Sequence, residues 1–418
     1  MRETELLNLA HLRAFSTIVS EGRPSAAARK LSRAQTSLMR MMRELELSIG
    51  EPLLERHSCG VLPTPSGKTV LQRSERIFSE LEKLTAWCTS LRTGRFETEG
   101  VVLPDWLLNT RRLQIVVSLA RERHMPTTAV ALGITQPAVS RALQVLETGS
   151  GLSLFVRGRS RDRLKLTTEG ESFVPYVQRA LSDLRHVHAD LAASHGTVTG
   201  TVIVGSLPLG RARILPSAIA AVTREYPNVR IVTAENAYAV MAASLRCGDM
   251  DVMLGPVLTG NQTDGLAVEP LLADDIKLIV RAGHPLAARN GSSLADLAGV
   301  KWIFPRLGSP ARETVDAAFA RIGLPFPIPS VETADISTIR GLLLNSEMIA
   351  ALSAESLYTE LQAGALVTLD ISLPDTRRSV GLFTRAESTP SPAAQLLITA
   401  ILRTVHSERS TTDAHKLY

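Results

Sequence analysis

The chain has 418 residues, of which 44% are hydrophobic and 21% are charged, and this length predicts about two to four domains with real hydrophobic cores. No uninterrupted apolar run is long enough to span a bilayer, and the first residues, Met1 to Glu5, lack the basic-then-apolar order of a signal peptide. We therefore expect a soluble, cytoplasmic protein with no membrane partner. The three cysteines, Cys59, Cys88 and Cys247, have neither metal-ligand spacing nor an even disulfide count, which is typical of a reducing compartment and predicts no metal site.

Charge is distributed unevenly along the chain. Residues 1–196 hold 27 Lys and Arg against 20 Asp and Glu, a net of +7, whereas residues 197–418 hold 19 against 21, a net of −2. A basic half joined to a slightly acidic half predicts that a polyanion binds at one end only. The alternative is ordinary solubility charge that is unequal by chance.

An internal repeat relates residues 1–92, here called copy 1, to residues 107–195, called copy 2. At an offset of 101 positions Gln35, Arg40, Leu45 and Glu46 match Gln136, Arg141, Leu146 and Glu147; at an offset of 103, Thr64 and Gly67 match Thr167 and Gly170. Residues 93–106 contain Gly and Pro and are predicted to connect the copies. The repeat predicts two tandem units of the same fold.

Copy 1 departs from copy 2 at the positions that carry chemistry. Ala34, Thr36 and Met39 replace Thr135, Pro137 and Ser140, and after Arg56 the segment 57–63 has no further cation. We predict that copy 1 is degenerate and serves dimer packing or accessory DNA contact.

In copy 2, residues 135–147 have the pattern of a helix with one polar face. Thr135 is a residue type that caps helices, Pro137 falls in the first turn, and Val139, Leu143 and Leu146 form an apolar stripe. Residues 129–132 predict a preceding short helix, and Gly133 predicts a tight turn between the two. Taken alone, this arrangement is equally compatible with a helix-turn-helix whose second helix enters the major groove and with an ordinary helical hairpin that has a solvated polar face.

Residues 155–170 follow as a basic segment with strand alternation at Leu164 and Leu166. In the turn at 157–165 only Asp162 opposes five cations, so this part predicts a wing that lies on phosphates. The five cations are Arg157, Arg159, Arg161, Arg163 and Lys165.

From Thr135 to Gly170 the chain resembles the LysR-type transcriptional regulators. Their pattern is Ser/Thr-Gln-Pro-Ala-Val/Leu-Ser-Arg, then Leu-Glu, Gly-x-x-Leu-Phe-x-Arg and Leu-Thr-x-x-Gly, and all of it is present. The usual family member has one such domain, so the duplication is a departure. The resemblance and the local chemistry together predict that DNA is contacted by Thr135, Gln136, Pro137, Ser140, Arg141, Gln144, Arg157, Arg159 and Lys165.

Each copy ends in a long amphipathic helical pattern, residues 66–92 and 168–195. Apolar positions such as Val70, Ile77, Val177 and Leu184 recur at helical spacing, which predicts a partner helix. In the resembling family the equivalent helix forms the dimer contact, which implies a homodimer or homotetramer here.

From residue 196 onward strands and helices alternate. Strands at 198–205, 229–233 and 251–256 enclose helices at 214–226 and 238–247, an order that predicts a parallel sheet. The order resembles the effector-binding domain of the same family, in the branch named for the regulator of a galactose- or sugar-binding-protein gene. This resemblance implies a two-lobed fold of the periplasmic-binding-protein type 2. Lobe 1 is expected at 198–267 and 372–406, lobe 2 at 268–371, and a tail at 407–418.

In such sheets ligands bind beyond the carboxyl ends of the strands. Ser206 could offer its hydroxyl to a ligand or merely cap a helix, and Arg306 could anchor a carboxylate or be a surface cation. The predicted effector-binding residues are Ser206, Leu207, Gly255, Pro256, Phe304, Arg306 and Thr333.

The predicted architecture is therefore multidomain: two tandem winged helix-turn-helix copies followed by a two-lobed α/β effector domain. We expect a bacterial, sequence-specific transcriptional regulator that binds double-stranded DNA, a small effector (a sugar, organic acid or aromatic acid) and RNA polymerase. No catalytic motif or cofactor signature is found in the sequence, so no enzyme activity and no cofactor are expected. An enzyme or transport protein on the two-lobed fold, and a corepressor that binds protein, are the alternatives.

Overall fold

A computed structural model describes residues 6–58, 60–158, 163–258, 260–288, 293–297 and 299–415. Within these ranges the chain divides into two compact units near residue 198, the N-terminal unit and the C-terminal unit. No helix in the described ranges combines the length and the apolar character that crossing a membrane requires.

The two copies of the N-terminal unit have the same element order, with three helices, a two-stranded hairpin and a long helix. Copy 1 consists of α1 (Leu9–Glu21), α2 (Pro24–Lys30), α3 (Gln35–Ile49), β1 (Leu54–His57), β2 (Gly60–Pro63) and α4 (Pro65–Thr93). Copy 2 consists of α5 (Thr110–Glu122), α6 (Met125–Ala131), α7 (Gln136–Ser150), β3 (Phe155–Arg157), β4 (Leu164–Leu166) and α8 (Thr168–Ser194).

Equivalent residues begin and end the equivalent helices. The side chain of Asn8 accepts a hydrogen bond from the Ala10 amide at the start of α1, and Asn109 accepts one from the Arg112 amide at the start of α5, both at 2.9 Å. Gly151 ends α7 with a φ of +73°, a left-handed conformation that glycine adopts without strain, and Gly50 ends α3 in the same way. Local sequence therefore sets the same boundaries twice.

The long helices α4 and α8 pack against each other in antiparallel orientation. Arg73, near the start of α4, contacts Asp190 near the end of α8, while Trp87 stacks on Tyr176 with ring centroids 6.4 Å apart. The apolar residues that predict a partner helix, such as Val70 and Val177, are fully buried. The partner of each long helix thus lies within the same chain, whereas the sequence analysis expected a second subunit.

The C-terminal unit contains two five-stranded sheets, one in each lobe. The lobe 1 sheet has the order β6-β5-β7-β14-β8, with β5 parallel to β6 and β7, and with β14 antiparallel to β7 and β8. The lobe 2 sheet has the order β11-β10-β12-β9-β13. The lobe 1 strands are β5 (Gly200–Ser206), β6 (Val229–Ala234), β7 (Val252–Pro256), β8 (Leu266–Asp274) and β14 (Arg378–Arg385). The lobe 2 strands are β9 (Ile276–Arg281), β10 (Trp302–Phe304), β11 (Pro329–Glu332), β12 (Ile349–Ser353) and β13 (Leu366–Thr368).

Helices cover these sheets at the places where the alternating pattern predicts them. The helices are α9 (Pro208–Arg211), α10 (Ile214–Glu225), α11 (Tyr238–Cys247), α12 (Pro310–Arg321), α13 (Ile336–Asn345), α14 (Tyr358–Gln362) and α15 (Pro392–His415). The strand-helix order predicted for residues 198–256 is observed, and the two-lobed fold is confirmed.

Two predicted boundaries of this unit are wrong. The chain crosses to lobe 2 after Asp274 rather than near residue 268, because β8 continues to Asp274 as an edge strand, where Pro270 is tolerated. Residues from 407 onward were expected to form a tail, but α15 continues to His415.

Candidate nucleic-acid interface and effector cleft

Helix α7 presents a polar face above a buried apolar stripe. Val139 and Leu146 are fully buried and Leu143 is nearly so, which fixes the helix on the core of copy 2. The predicted DNA-contacting residues Gln136, Pro137, Ser140, Arg141 and Gln144 are all exposed on the other side. The short helix α6 and a turn at Gly133, with a φ of +62°, precede α7, so the helix-turn-helix geometry is present.

The predicted cap of this helix is wrong in one respect. Thr135 stands at the N-cap position with extended backbone, but its side chain makes no cap hydrogen bond. The replacement of Thr135 by Ala34 in copy 1 therefore removes no cap interaction. Thr135 is exposed beside Gln136, so it belongs to the polar face of α7.

Strands β3 and β4 form the predicted wing. Val156 pairs with Lys165 and Arg157 pairs with Leu164. Since directly opposed residues share a face, Arg157 and Lys165, both exposed, lie on opposite faces of the hairpin. Arg159, also predicted to contact DNA, lies outside the described residues.

Three residues that were not predicted as site residues hold the wing to the helix-turn-helix. The carboxylate of Glu147 accepts hydrogen bonds from the amides of Leu154 (2.7 Å) and Phe155 (3.3 Å), so the end of α7 fixes the start of β3. The hydroxyl of Thr167 accepts from the Gly170 amide at 2.9 Å, and a Cβ at Gly170 would overlap the carbonyl oxygen of Leu154. The Leu-Glu and Leu-Thr-x-x-Gly motifs were the signal for these positions.

Copy 1 has the same hydrogen bonds between its helix α3 and its hairpin, but its exposed side chains differ from those of copy 2. Glu46 accepts from the Leu53 amide at 2.8 Å, as Glu147 does from Leu154. Gln35 and Arg40 are exposed on α3, but Arg40 Nε lies 3.5 Å from Glu44 Oε1, and copy 2 has Val145 at the position of Glu44. A carboxylate beside the retained arginine weakens any phosphate contact through like-charge repulsion.

In the C-terminal unit, the ends of β5 and β7 bring together the lobe 1 residues of the predicted effector set. The Leu207 amide donates to the Leu254 carbonyl at 3.0 Å, and the side chain of Leu207 covers Gly255, where a Cβ would come within 2.8 Å of it. Ser206 is buried, and its hydroxyl donates to the Leu207 carbonyl at 3.0 Å. Leu207 rather than Ser206 is the N-cap of α9, so the capping alternative for Ser206 is not observed. Pro256, the last residue of β7, is also buried.

The lobe 2 residues of the set are placed less uniformly. Parallel pairing of Phe304 with Glu332 brings the end of β10 next to Thr333, whose amide donates to the Phe304 carbonyl at 3.0 Å. Arg306 is exposed and Thr333 is half-buried. Phe304 is fully buried against Trp302, so its ring belongs to the lobe 2 core and not to the lining.

One residue at this edge was missed. Arg312 is buried, donates from Nη1 to Glu332 Oε1 at 2.6 Å and from Nε to Asp316 Oδ1 at 2.8 Å, and lies over the ring of Phe326. Burial alone would lower the pKa of this guanidinium, but the hydrogen bonds and charges of Glu332 and Asp316 outweigh it and raise the pKa. Arg312 therefore remains a cation and holds α12 to the end of β11. No sequence motif marks this position.

The two lobes are joined at two polar points. Asp274, at the crossover, accepts from the Ser353 hydroxyl at 2.5 Å and from Arg378 Nε at 3.0 Å. Arg213 of lobe 1 donates to Glu355 of lobe 2 at 2.9 Å. A separate cavity of about 330 Å³ lies between α12 and the segments around Leu258 and Pro374, and its lining contains none of the predicted effector residues.

Within the described ranges no group of three or more His, Cys, Asp or Glu residues is arranged to hold a metal ion. The C-terminal unit offers hydroxyl, amide and guanidinium groups for recognition at the ends of β5 and β7 in lobe 1 and of β10 and β11 in lobe 2. The N-terminal unit offers a rigid polar helix face and a basic hairpin.

Family models match both units. The model of the LysR substrate binding domain matches residues 195–405, and that of the bacterial regulatory helix-turn-helix protein, LysR family, matches residues 9–68 and 110–171. The HTH-type transcriptional regulator GalR of Pseudomonas putida is 42% identical over 98% of this chain and 100% of its own length. The HTH-type transcriptional regulator PcaQ of Agrobacterium fabrum is 30% identical over 71% of this chain and 95% of its own length. The solved structure of a full-length OxyR variant from Pseudomonas aeruginosa covers 71% of this chain and 94% of its own, with a TM-score of 0.53 at 20% identity, and it shows the fold alone.

Proposed function

The chain belongs to the LysR family of DNA-binding transcriptional regulators with a C-terminal effector-binding domain, and we propose that copy 2 is its sequence-reading head. The observation that carries this proposal is the exposed row Gln136, Ser140, Arg141 and Gln144 on α7, with α7 held to its wing by Glu147. Amide and guanidinium groups on a rigid helix are the side chains that form bidentate contacts with base edges.

Copy 1 is proposed to be a second winged helix-turn-helix in tandem with the first. The same element order, the matching caps Thr64 and Thr167 of the long helices, and the equivalent Glu46 and Glu147 hydrogen bonds support this reading. Its exposed surface lacks the cations of the copy 2 wing, so it contributes accessory contact rather than most of the affinity.

The C-terminal unit is proposed to bind a small polar effector, such as a sugar, an organic acid or an aromatic acid, between its lobes. The ends of β5, β7 and β10 and the segment at Thr333 supply the groups, with Arg306 as the anchor for a carboxylate or hydroxyls. A ligand that contacts both lobes favours the closed state only through contacts absent in the open state. Closure would change how the subunits of a homodimer or homotetramer engage DNA and RNA polymerase. This regulation requires no catalysis, and we place it in the cytoplasm.

The test is recovery and sequencing of chromosomal fragments that co-purify with the full chain, followed by binding measurements on the enriched duplex. We expect one enriched sequence, and we expect Arg141→Ala to lose affinity for it. Enrichment of no sequence, or an Arg141→Ala chain that binds as tightly as the parent, would reject copy 2 as the reader.

A further inference from the structure

We propose that a single chain carries a complete two-headed DNA-binding unit, and that it therefore recognises an asymmetric, two-part duplex site. The two heads are copy 1 and copy 2, and the contact that joins them is the pairing of α4 with α8. This inference rests on the proposed function of copy 2 as the reader and adds the role of copy 1 and the symmetry of the DNA.

The first argument is the direction of the pairing. Along α4, Arg73 meets Asp190, Glu80 meets Arg179 and Trp87 meets Tyr176. The residue number on α8 falls as the number on α4 rises, so the helices are antiparallel. Two like helices packed in this way place their attached heads at opposite ends of the pair.

The second argument is that equivalent positions contact each other. Leu9 and Thr110 are the first residues of α1 and α5 and differ by the repeat offset (110 − 9 = 101). The Leu9 amide donates to the Thr110 hydroxyl at 3.0 Å, and this hydroxyl donates to the Leu7 carbonyl at 2.9 Å. A position meets its own counterpart only near a twofold axis, so the two copies are arranged about a pseudo-twofold axis, as the protomers of a symmetric dimer are.

The third argument is that the pairing is a built interface. Arg73 and Asp183 are both about 2% exposed, and Arg73 Nη1 donates to Asp183 Oδ1 at 2.8 Å. Arg73 also makes a two-pronged contact with Asp190, at 2.6 and 2.9 Å. Separating the helices would break these buried ion pairs, which is strongly unfavourable. The two heads are therefore held together within one chain, and α4 and α8 are not exchanged between chains.

The consequence for DNA follows from the differences between the heads. A symmetric dimer presents one helix twice and selects a palindrome, with half-sites about one helical turn apart. This chain presents Ser140 and Arg141 on α7 at one half-site, and Met39 and Arg40 on α3 at the other. An exposed Met side chain suits an apolar base edge such as the thymine methyl group, and the charged wing lies on the copy 2 side only. The two halves of the site should therefore differ in sequence, and the copy 2 half should carry most of the salt dependence.

One experiment locates each head on the DNA. A duplex is selected from a randomised pool with the full chain, and a DNA-cleaving iron chelate is attached through Lys30→Cys or, separately, Ala131→Cys. These residues are equivalent, exposed, and outside the surface assigned to DNA contact. The chain with only its native cysteines, treated with the same reagent, gives the background.

We expect the selected duplex to lack twofold symmetry, Lys30→Cys to cleave beside one half, and Ala131→Cys to cleave beside the other. Cleavage of both halves by the Ala131→Cys chain would show two copy 2 heads on one site and overturn the proposal. The proposal would also be overturned if the Lys30→Cys chain binds the duplex but cleaves it no more than the background does. Copy 1 would then not contact the DNA. Selection that enriches no sequence would instead reject the proposed function itself.

A cross-link tests whether the pairing is within one chain. Glu51 of copy 1 and His195 at the end of α8 are on the surface, with Glu51 Oε1 2.9 Å from His195 Nε2. Treatment of the Glu51→Cys/His195→Cys chain with a flexible bis-maleimide, which spans the gap left by the two long side chains, should yield a cross-linked monomer on a denaturing gel, and each single variant serves as the control. A cross-linked dimer specific to the double variant would show that the helices are exchanged between chains and would overturn the inference.

Discussion

Glu80 and Asp183 occupy the same position in two like helices, 103 residues apart (183 − 80 = 103), and each accepts a hydrogen bond from an arginine of the opposite helix. Arg179 Nε donates to Glu80 Oε2 at 2.5 Å, and Arg73 Nη1 donates to Asp183 Oδ1 at 2.8 Å. The charge pattern of the α4–α8 interface is therefore repeated about its pseudo-twofold axis, although the arginines are not at equivalent positions.

The first prediction concerns this interface. Arg73→Ala should destabilise the N-terminal unit by about 3–5 kcal/mol, because it removes the buried guanidinium that donates to the buried Asp183 carboxylate and to Asp190. The measurement is calorimetric unfolding of the full chain, in which the transition that belongs to the N-terminal unit should move to a lower temperature than in the parent. The Arg73→Ala/Asp183→Ala double variant is the control, and it should lose less than the two single variants add up to. Additive losses would show that the pair contributes no coupling.

The second prediction compares the two heads on DNA. Gln136→Ala and Arg141→Ala should each weaken specific binding by about 1–3 kcal/mol, the range for a lost base contact. The matched variant Arg40→Ala should cost less than Arg141→Ala, because Glu44 lies beside Arg40. Gln35→Ala should cost less than Gln136→Ala, because copy 1 lacks the wing cations that contribute most of the affinity in the proposed function. Fluorescence anisotropy on the selected duplex measures both pairs. Equal losses in the two copies would contradict the ranking of the heads.

The third prediction concerns the wing. Lys165→Ala should weaken binding to all duplexes alike and flatten the salt dependence, because a phosphate contact releases counterions without reading sequence. Affinities for specific and random duplex across a series of salt concentrations give the two slopes. A loss restricted to the specific duplex would assign Lys165 to base recognition instead.

The fourth prediction separates scaffold from surface. Glu147→Ala removes the acceptor of two backbone amides and should cost about 1.5–3 kcal/mol of stability, the range for hydrogen bonds to a charged group. Glu46→Ala in copy 1 is the matched control and should cost a similar amount, because Glu46 accepts from the equivalent amides. Unfolding of both variants is followed by circular dichroism. If Glu147→Ala leaves stability unchanged but abolishes binding, Glu147 acts at the DNA surface.

The fifth prediction uses the buried thiol of Cys88. Burial raises the pKa of this thiol to about 11 from an unfolded value near 9. Because the thiol has a higher pKa in the folded state than in the unfolded state, its contribution to stability is fully present below pH 9 and is lost as the pH rises from 9 to 11. At about 1.4 kcal/mol per pKa unit, this loss of folding free energy amounts to roughly 3 kcal/mol. The Cys88→Ala chain should therefore lose less stability than the parent over this range. If the melting temperatures of the parent and of the Cys88→Ala chain fall equally over this pH range, Cys88 does not titrate as a buried group.

How much of this molecule is visible in its sequence depends on whether the determining contacts are local. Asn109 and Gly151 bound their helices through neighbours a few residues away, and Gly133 marks the turn before α7, so these elements were predictable. The repeat itself was visible because Glu46 and Glu147 do the same structural work at the same spacing. The apolar stripe of α8 was visible as well, but periodicity indicates only that a partner helix exists, not which chain supplies it.

The differences between the sequence predictions and the structure arise where the outcome depends on a strand's place in the sheet, on a side-chain rotamer or on contacts between distant segments. The resemblance implies a crossover to lobe 2 near residue 268, yet β8 continues through Pro270, because an edge strand leaves one side of its backbone unpaired and so accommodates a proline. The residue type of Thr135 predicts an N-terminal cap for α7, but capping depends on a side-chain rotamer that the sequence does not specify. Arg312 was missed because its partners, Asp316 and Glu332, come together only when α12 packs against β11.

The proposed arrangement, with two unlike heads in one chain paired through α4 and α8, has a consequence for how this regulator can diverge. In a symmetric dimer every substitution enters both recognition helices at once, so a new base preference must suit two half-sites simultaneously. Under the proposed arrangement, a substitution in α3 leaves α7 unaltered, and a single base change in one half of the operator could be met by a change in one head. The two halves of an operator could then change in sequence independently of each other.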